Sequence, residues 1–395
     1  MKAILRKAFI KASLTKLYKL FFKVAGKVLP VDSKLVIFES FLGKQYSDSP
    51  RAIFEYMAEH NPEYKLVWSM DRSSIPYFKD QGIEMVPRFS IKWLVAMNRA
   101  RYWVSNSRLP LWIPKPKHTR YLQTWHGTPL KRLAADMKDV QMPGTDIQRY
   151  KKNFKKASSK WDYLISPNAY STEIFRRAFS FDKEVLETGY PRNDYLYNAN
   201  QESHISRLKE QMGIALNKKV LLYAPTWRDN EYHHKGKYKY SSPLNLDKLQ
   251  AELGEDYVVL MRMHYLVADQ LDLTEYEGFV YDFSHYTDIR DLYLVSDILI
   301  TDYSSVFFDF ANLKRPMIFY VYDLEYYRDQ LRGFYFDFEK EAPGPLVKTT
   351  DELVSAIKSE EKKFKLEQYE EFYRRFCEWE DGNASRRVVD RFIKD

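Results

Sequence analysis

One cysteine, Cys377, is all that this 395-residue chain contains. That excludes an intramolecular disulfide framework and any multi-cysteine zinc site, and it fits a reducing compartment. Acidic residues are missing from positions 1–30, where Lys2, Arg6, Lys7, Lys11, Lys16, Lys19, Lys23 and Lys27 all lie. The whole chain carries 62 basic and 54 acidic residues, a net charge of +8, so outside this segment the two signs balance. A nucleic-acid-binding surface would place its excess charge on the folded part, which argues against nucleic acid as a partner. Long apolar runs are absent too. Nothing approaches the ~18 uninterrupted apolar residues of a bilayer span, and lysines interrupt the segment where a signal peptide needs its apolar region. Also missing are G-x-x-x-x-G-K-[ST], G-x-G-x-x-G and H-E-x-x-H, so phosphate-loop, dinucleotide-fingerprint and zincin readings lose support.

What is present suffices for folded cores: 45% hydrophobic and 16% aromatic residues, in a chain long enough for two domains. The basic N-terminus has its own pattern. On a helix over residues 14–29, Lys16, Lys19, Lys23 and Lys27 share one narrow arc. Leu14, Leu17, Leu20, Phe21, Val24, Ala25 and Val28 cover the other side. Lysines opposite Leu and Phe suit a helix lying in an anionic membrane interface, with Phe21 among the inserted residues. A surface helix packed on the protein's own core is the other reading.

After Pro30 the pattern becomes short apolar, β-rich runs separated by helical stretches. Strands are expected at 35–38, 65–68, 101–104, 121–124 and 163–165, then at 220–223, 257–261, 279–281, 297–300 and 317–320. Helices are expected near 50–60, 145–160 and 170–180. Such alternation predicts two α/β domains with parallel sheets covered on both faces. The polar stretch 198–218 is the natural boundary, and 230–242 reads as a mobile loop.

Ligands of open α/β sheets bind at the carboxyl ends of the strands. Here those ends carry TWHGTP (124–129), SPN (166–168), APTWRD (224–229), RMHY (262–265) and TDYSS (301–305). His126 precedes Gly127, which permits close approach of backbone or substrate, and Pro129 suits the first turn of a following helix. A histidine there can take a proton from a hydroxyl near neutral pH, or it can simply bond to backbone. His264 repeats the arrangement in the second half, where Arg262 and His264 share a face if the strand continues. A helix is expected to begin near Ser304 and Ser305, either as an anion site or as an ordinary serine cap. Trp227 and Arg228 could meet a nucleotide or buttress a strand end. No histidine spacing demands a metal.

Taken together, QTWHGTPLK, YPRND, YAPTWRD, RMHY, SDILITDYSSVFFDF and LRGFYFDFEKEAPGP resemble the CDP-glycerol glycerophosphotransferase family of teichoic acid synthesis. The resemblance runs in one order from about residue 35 to 385, and is nearest to the short wall teichoic acid enzymes. It implies a GT-B-like pair of Rossmann-type domains, with residues 1–30 as membrane helix. Residues 31–200 would form the acceptor-side domain, and 201–395 the CDP-glycerol-binding domain with the C-terminal helices. It also implies a peripheral enzyme on the cytoplasmic face of the cell membrane, moving glycerol phosphate from CDP-glycerol to an undecaprenyl-linked acceptor. The family's functional histidines match His126 and His264, and its phosphate-binding helix start matches Ser304 and Ser305. Arg228, Arg262 and Arg332 are candidate phosphate contacts. No cofactor is implied, and a divalent ion on the pyrophosphate stays open. So do three alternatives: a CDP-ribitol user, a sugar transferase of the same architecture, and a non-enzymatic membrane-surface scaffold.

Overall fold

The computed structural model describes residues 2–139, 146–226, 232–234, 237–238, 244–263, 272–331, 333–363 and 366–394. Each of the ten apolar runs expected as a strand forms one. The first domain holds β1 (Asp32–Glu39), β2 (Lys65–Met70), β3 (Met85–Pro87), β4 (Ala100–Ser105), β5 (Arg120–Gln123), β6 (Tyr163–Ser166) and β7 (Glu184–Glu187). They pair in parallel in the order β3-β2-β1-β4-β5-β6-β7. The second domain opens with β8 (Lys219–Tyr223). A small antiparallel pair follows, β9 (Tyr232–His234) and β10 (Lys237–Tyr238), inside the stretch expected to be a loop. Then come β11 (Tyr257–Met261), β12 (Val280–Asp282), β13 (Ile298–Thr301), β14 (Met317–Tyr320) and β15 (Leu346–Val347). Its parallel sheet runs β12-β11-β8-β13-β14-β15.

Side-chain alternation explains why these runs are apolar throughout. In β1, Leu35 and Ile37 enter one core while Val36 and Phe38 enter the core on the opposite face. In β8, Val220 and Leu222 face one way, Leu221 and Tyr223 the other. A parallel sheet covered on both sides has no water-facing register. In both sheets the chain reverses direction beside the first strand, between β1 and β4 and between β8 and β13, and such switch points open a crevice at the strand ends.

Helix α1 (Lys2–Val28) divides its surface three ways. Tyr18, Phe22 and Ala25 pack on the first domain, and Phe22 is fully buried between Trp93 and Trp112. Gly26 allows this approach, because a Cβ there would lie 2.6 Å from Asn98 Oδ1. Ala25 therefore faces the protein rather than the outer apolar arc. Leu14, Leu17, Leu20, Phe21, Val24 and Val28 stay exposed, as do Lys16, Lys23 and Lys27, while Lys19 lies half-buried over Trp112. Among the described residues no helix is long and apolar enough to cross a membrane.

The far end of the chain departs from the expected domain division. Val388, Val389, Phe392 and Ile393 join the core beneath β1, β2 and β4, so residues 384–394 return to the first domain. The Asp194 carboxylate accepts N–H bonds from Ala384 and Ser385, both at 2.7 Å, and fixes the start of that returning helix. Only a long-range contact specifies this, and no local pattern announces it.

Candidate active site

The site begins at the end of β5. Gln123 is buried, and its Oε1 accepts the Trp125 N–H at 2.9 Å. That bond helps hold Trp125 at φ 54°, a left-handed conformation costing a non-glycine residue ~1–2 kcal/mol. The Trp125 ring is wedged against Phe154, Phe175 and Phe179, and His126 stacks on its other side at 4.5 Å. The turned backbone presents His126 to the cleft, where its side chain is open to solvent.

His126 Nδ1 lies 2.9 Å from the Asn106 carbonyl oxygen at the end of β4. A carbonyl only accepts, so Nδ1 carries the proton and Nε2 keeps its lone pair. The imidazole sits deep between the domains although one face meets solvent. Burial disfavours its charged form and holds its pKa below the ordinary histidine range. The Asn106 carbonyl and Asp48 pull the other way, and Arg192 and Arg108 add to the lowering. A neutral histidine whose Nε2 keeps its lone pair is able to accept a proton at neutral pH.

Asn106 is itself held. Its Nδ2 donates to Asp48 Oδ2 at 2.9 Å, and its Oδ1 accepts the Phe41 N–H at 2.8 Å. Asp48, at φ 64°, accepts Arg192 Nη1 at 2.9 Å, while Arg192 Nη2 reaches Asp309 of the second domain at 2.8 Å. Burial works against the charge of Asp48, but Arg192 outweighs it and lowers that pKa, whereas burial prevails at Asp309 and raises its pKa. One buried guanidinium thus ties the support of His126 to the helix Val306–Phe310.

Gly127 answers the question its position raises. A Cβ there would stand 2.8 Å from Ser305 Oγ, so the glycine is where the two domains touch. Ser305 precedes Val306–Phe310 and its side chain makes no capping bond. Asp302 Oδ1 accepts the Thr226 N–H at 2.7 Å and joins the ends of β8 and β13 behind it. The structure therefore brings His126 and Ser305, with neighbouring Ser304, to one crevice.

Other expectations fare differently. Pro129 does not open a helix: the chain continues extended, Lys131 bridges to Phe334, and Arg132 N donates to Gly333 O at 3.1 Å. Contacts with the second domain replace helical ones here. Arg262 lies beyond the end of β11, and its Nη1 donates to the carbonyls of Phe283, at 2.8 Å, and Ser284. It secures that loop rather than presenting this nitrogen to a phosphate. His264, Trp227, Arg228 and Arg332 lie outside the described residues. Among the described residues no three His, Cys, Asp or Glu side chains gather as a metal site. Asn106, Asp48, Arg192 and Asp309 went unnoticed in the sequence, although Asn106 stands at a strand end just as His126 does.

Two parallel-sheet α/β domains meeting at opposed switch points, with His126 on one and Ser305 on the other, define the GT-B-like class. A UDP-N-acetylglucosamine 2-epimerase from Listeria monocytogenes, described as putative, shares the fold alone (TM-score 0.55, 13% identity, 90% of this chain and 95% of that one). Residues 20–394 match the family described as CDP-Glycerol:Poly(glycerophosphate) glycerophosphotransferase, and the chain belongs to that family. It is 61% identical to a teichoic acid poly(glycerol phosphate) polymerase of Bacillus subtilis (strain 168), over 96% of this chain but 51% of that protein. Against a teichoic acid glycerol-phosphate transferase of Staphylococcus aureus the identity is 47%, over 98% of both. The solved structure of the wall teichoic acid polymerase TagF, as a histidine-to-asparagine variant, superimposes with a TM-score of 0.90. The identity there is 44%, covering 100% of this chain and 98% of that one.

Proposed function

We propose that this chain transfers glycerol phosphate from CDP-glycerol to a hydroxyl of an undecaprenyl-diphosphate-linked teichoic acid precursor and releases CMP. The observation that carries the reading is His126, whose Nδ1 is fixed on the Asn106 carbonyl and whose neighbour Gly127 meets Ser305 of the second domain. Nε2 takes the acceptor proton as the acceptor oxygen attacks the β-phosphorus. A P–O bond forms to the acceptor, the bond to the bridging oxygen breaks, and CMP leaves with that oxygen. Little covalent chemistry is asked of the protein, so positioning and charge stabilisation do most of the work. Ser304 and Ser305 hold the pyrophosphate on the second domain. By the family resemblance, His264, Arg228, Trp227 and Arg332 complete the donor side.

Support for glycerol over ribitol comes from the relatives. Identity is 47–61% with glycerol phosphate polymerases and a glycerol-phosphate transferase, 39% over 55% of this chain with a ribitol-phosphate polymerase, and 32% with both a ribitol-phosphate primase of Bacillus spizizenii and a glycerol-phosphate primase of Bacillus subtilis. Helix α1 holds the enzyme on the cytoplasmic face of the cell membrane, its exposed Leu, Phe and Val side chains inserted and its lysines toward anionic headgroups. Anchoring both enzyme and acceptor on one surface raises their effective concentration. The test is incubation of the full chain with lipid-linked acceptor and either CDP-glycerol or CDP-ribitol, followed by mass analysis. Growth by glycerol phosphate with CMP release supports the reading. Preference for CDP-ribitol, or release of a nucleoside diphosphate from a sugar nucleotide, rejects it.

A further inference from the structure

Beside His126 lies a cavity of about 790 Å³ whose lining among the described residues belongs to the first domain, between Leu42 and Ala157. Among the described residues its wall includes His126 but neither Ser304 nor Ser305. Its size is that of a small-molecule site. One wall is aromatic, formed by Trp125, Tyr150 and Phe154. The helix Ile147–Ser158 supplies two of these rings, and Arg149 and Asn153 one residue earlier in each turn.

Arg108 is the distinctive group. Its guanidinium lies half-buried over Phe154 at 4.4 Å and Tyr150 at 5.5 Å. Among the described residues no carboxylate or carbonyl accepts from it. Of the other cations nearby, Lys160 bonds to the carbonyls of Leu111 and Ile113, Lys115 to Asp162 and Arg177 to Asp136, while Arg149 stands exposed on the same wall as a second cation facing the cavity. A guanidinium lying over aromatic rings, with no acceptor among the described residues and a cavity before it, is suited to an oxyanion. Its proximity to His126 is consistent with its share in lowering that histidine's pKa.

We propose that this cavity binds the phosphodiester nearest the attacking hydroxyl of the acceptor, with Arg108 on its non-bridging oxygens and the aromatic wall against the adjoining carbons. The assignment rests on the transfer reaction proposed above and adds a specificity: the acceptor end is recognised through its negative charge. An acceptor ending in glycerol phosphate fits, and one ending in a neutral sugar does not.

The test uses the full chain and two short synthetic acceptors, one ending in a glycerol phosphodiester and one in the uncharged methylphosphonate of the same shape. Binding is measured by calorimetry and turnover by CMP release. The unaltered protein should favour the charged acceptor by ~10–100-fold, the range for hydrogen bonds to a charged group. Arg108→Gln should bring that ratio toward one by raising the KM of the charged acceptor, while CDP-glycerol affinity holds. Arg108→Lys should fall between, since it keeps the charge and loses the fork. Unchanged discrimination in a folded Arg108→Gln protein overturns the proposal, as does equal weakening of both acceptors. If the charged acceptor binds through Arg108 but no CDP-glycerol is consumed, the cavity assignment stands and the proposed reaction falls.

Discussion

Replacing Arg192 with methionine should damage the molecule more than any surface change, and in a pH-dependent way. Arg192 bridges Asp48 and Asp309 across the domains, and all three side chains are 10% exposed or less. Removing one partner of a buried ion pair costs ~3–5 kcal/mol because the remaining charge is uncompensated. For a domain of this size that corresponds to a fall of ~6–20 °C in the melting temperature. Methionine conserves length and apolar stem, so packing loss is small beside the charge effect. In the variant the two carboxyls face each other without a cation, and their folded pKa values rise above the unfolded ones. A raised folded pKa contributes stability below the unfolded pKa that is lost as pH rises through the folded value. The deficit should therefore be smaller at pH 5 than at pH 8. Adding Asp48→Asn and Asp309→Asn should restore part of the loss. Thermal unfolding of the unaltered, single and triple variants at both pH values decides. A deficit under 1 kcal/mol, or one equal at both pH values with no recovery in the triple variant, refutes the reasoning.

Gly127→Ala should lower turnover sharply in steady-state CMP release, since its Cβ would stand 2.8 Å from Ser305 Oγ and displace a side chain assigned to the pyrophosphate. Burial raises the Glu380 pKa to about 8, opposed by N–H donation from Tyr190 and Asn193. Its contribution to stability is complete below about pH 4.5 and is lost as pH rises to about 8, so Glu380→Gln should melt higher than the unaltered protein at pH 8 and flatten the pH dependence. Leu17→Ser, Phe21→Ser and Val24→Ser together should abolish flotation with anionic vesicles and leave the melting temperature within a few degrees. Deleting residues 1–29 is a poorer test than the sequence suggests, because it removes Phe22 from between Trp93 and Trp112 and should destabilise the first domain.

Legibility in the sequence followed the physics of each element. Strands buried on both faces announced themselves as continuous apolar runs. Besides the small pair β9 and β10, those missed in the main sheets, β3, β7 and β15, are sheet edges: short, partly exposed, and in β7 beginning and ending on Glu184 and Glu187. His126 was legible because a polar residue before glycine at a parallel strand's end has few structural uses. The reason for the glycine was not, since Ser305 belongs to the other domain. Arg192 sat within a recognisable PRND stretch, yet its two partners come from distant segments that only the assembled fold unites. The returning helix of residues 384–394 was illegible for the same reason. Pro129 misled because the chain beyond it is held by pairing with Phe334 and Gly333 rather than by helical bonds.

The central claim is that His126 Nε2 removes the acceptor proton. The measurement that tests it is single-turnover CMP release by the unaltered protein and His126→Ala, across pH 5 to 8, at saturating CDP-glycerol and acceptor. The unaltered rate should climb with pH and level off before the ordinary histidine pKa of ~6.5, because the lowered pKa leaves Nε2 unprotonated early. His126→Ala should be slower by ~10²–10⁴-fold, lose that acidic limb, and retain its affinity for CDP-glycerol. A folded His126→Ala protein with near-normal rate, or with the acidic limb intact, would contradict the account.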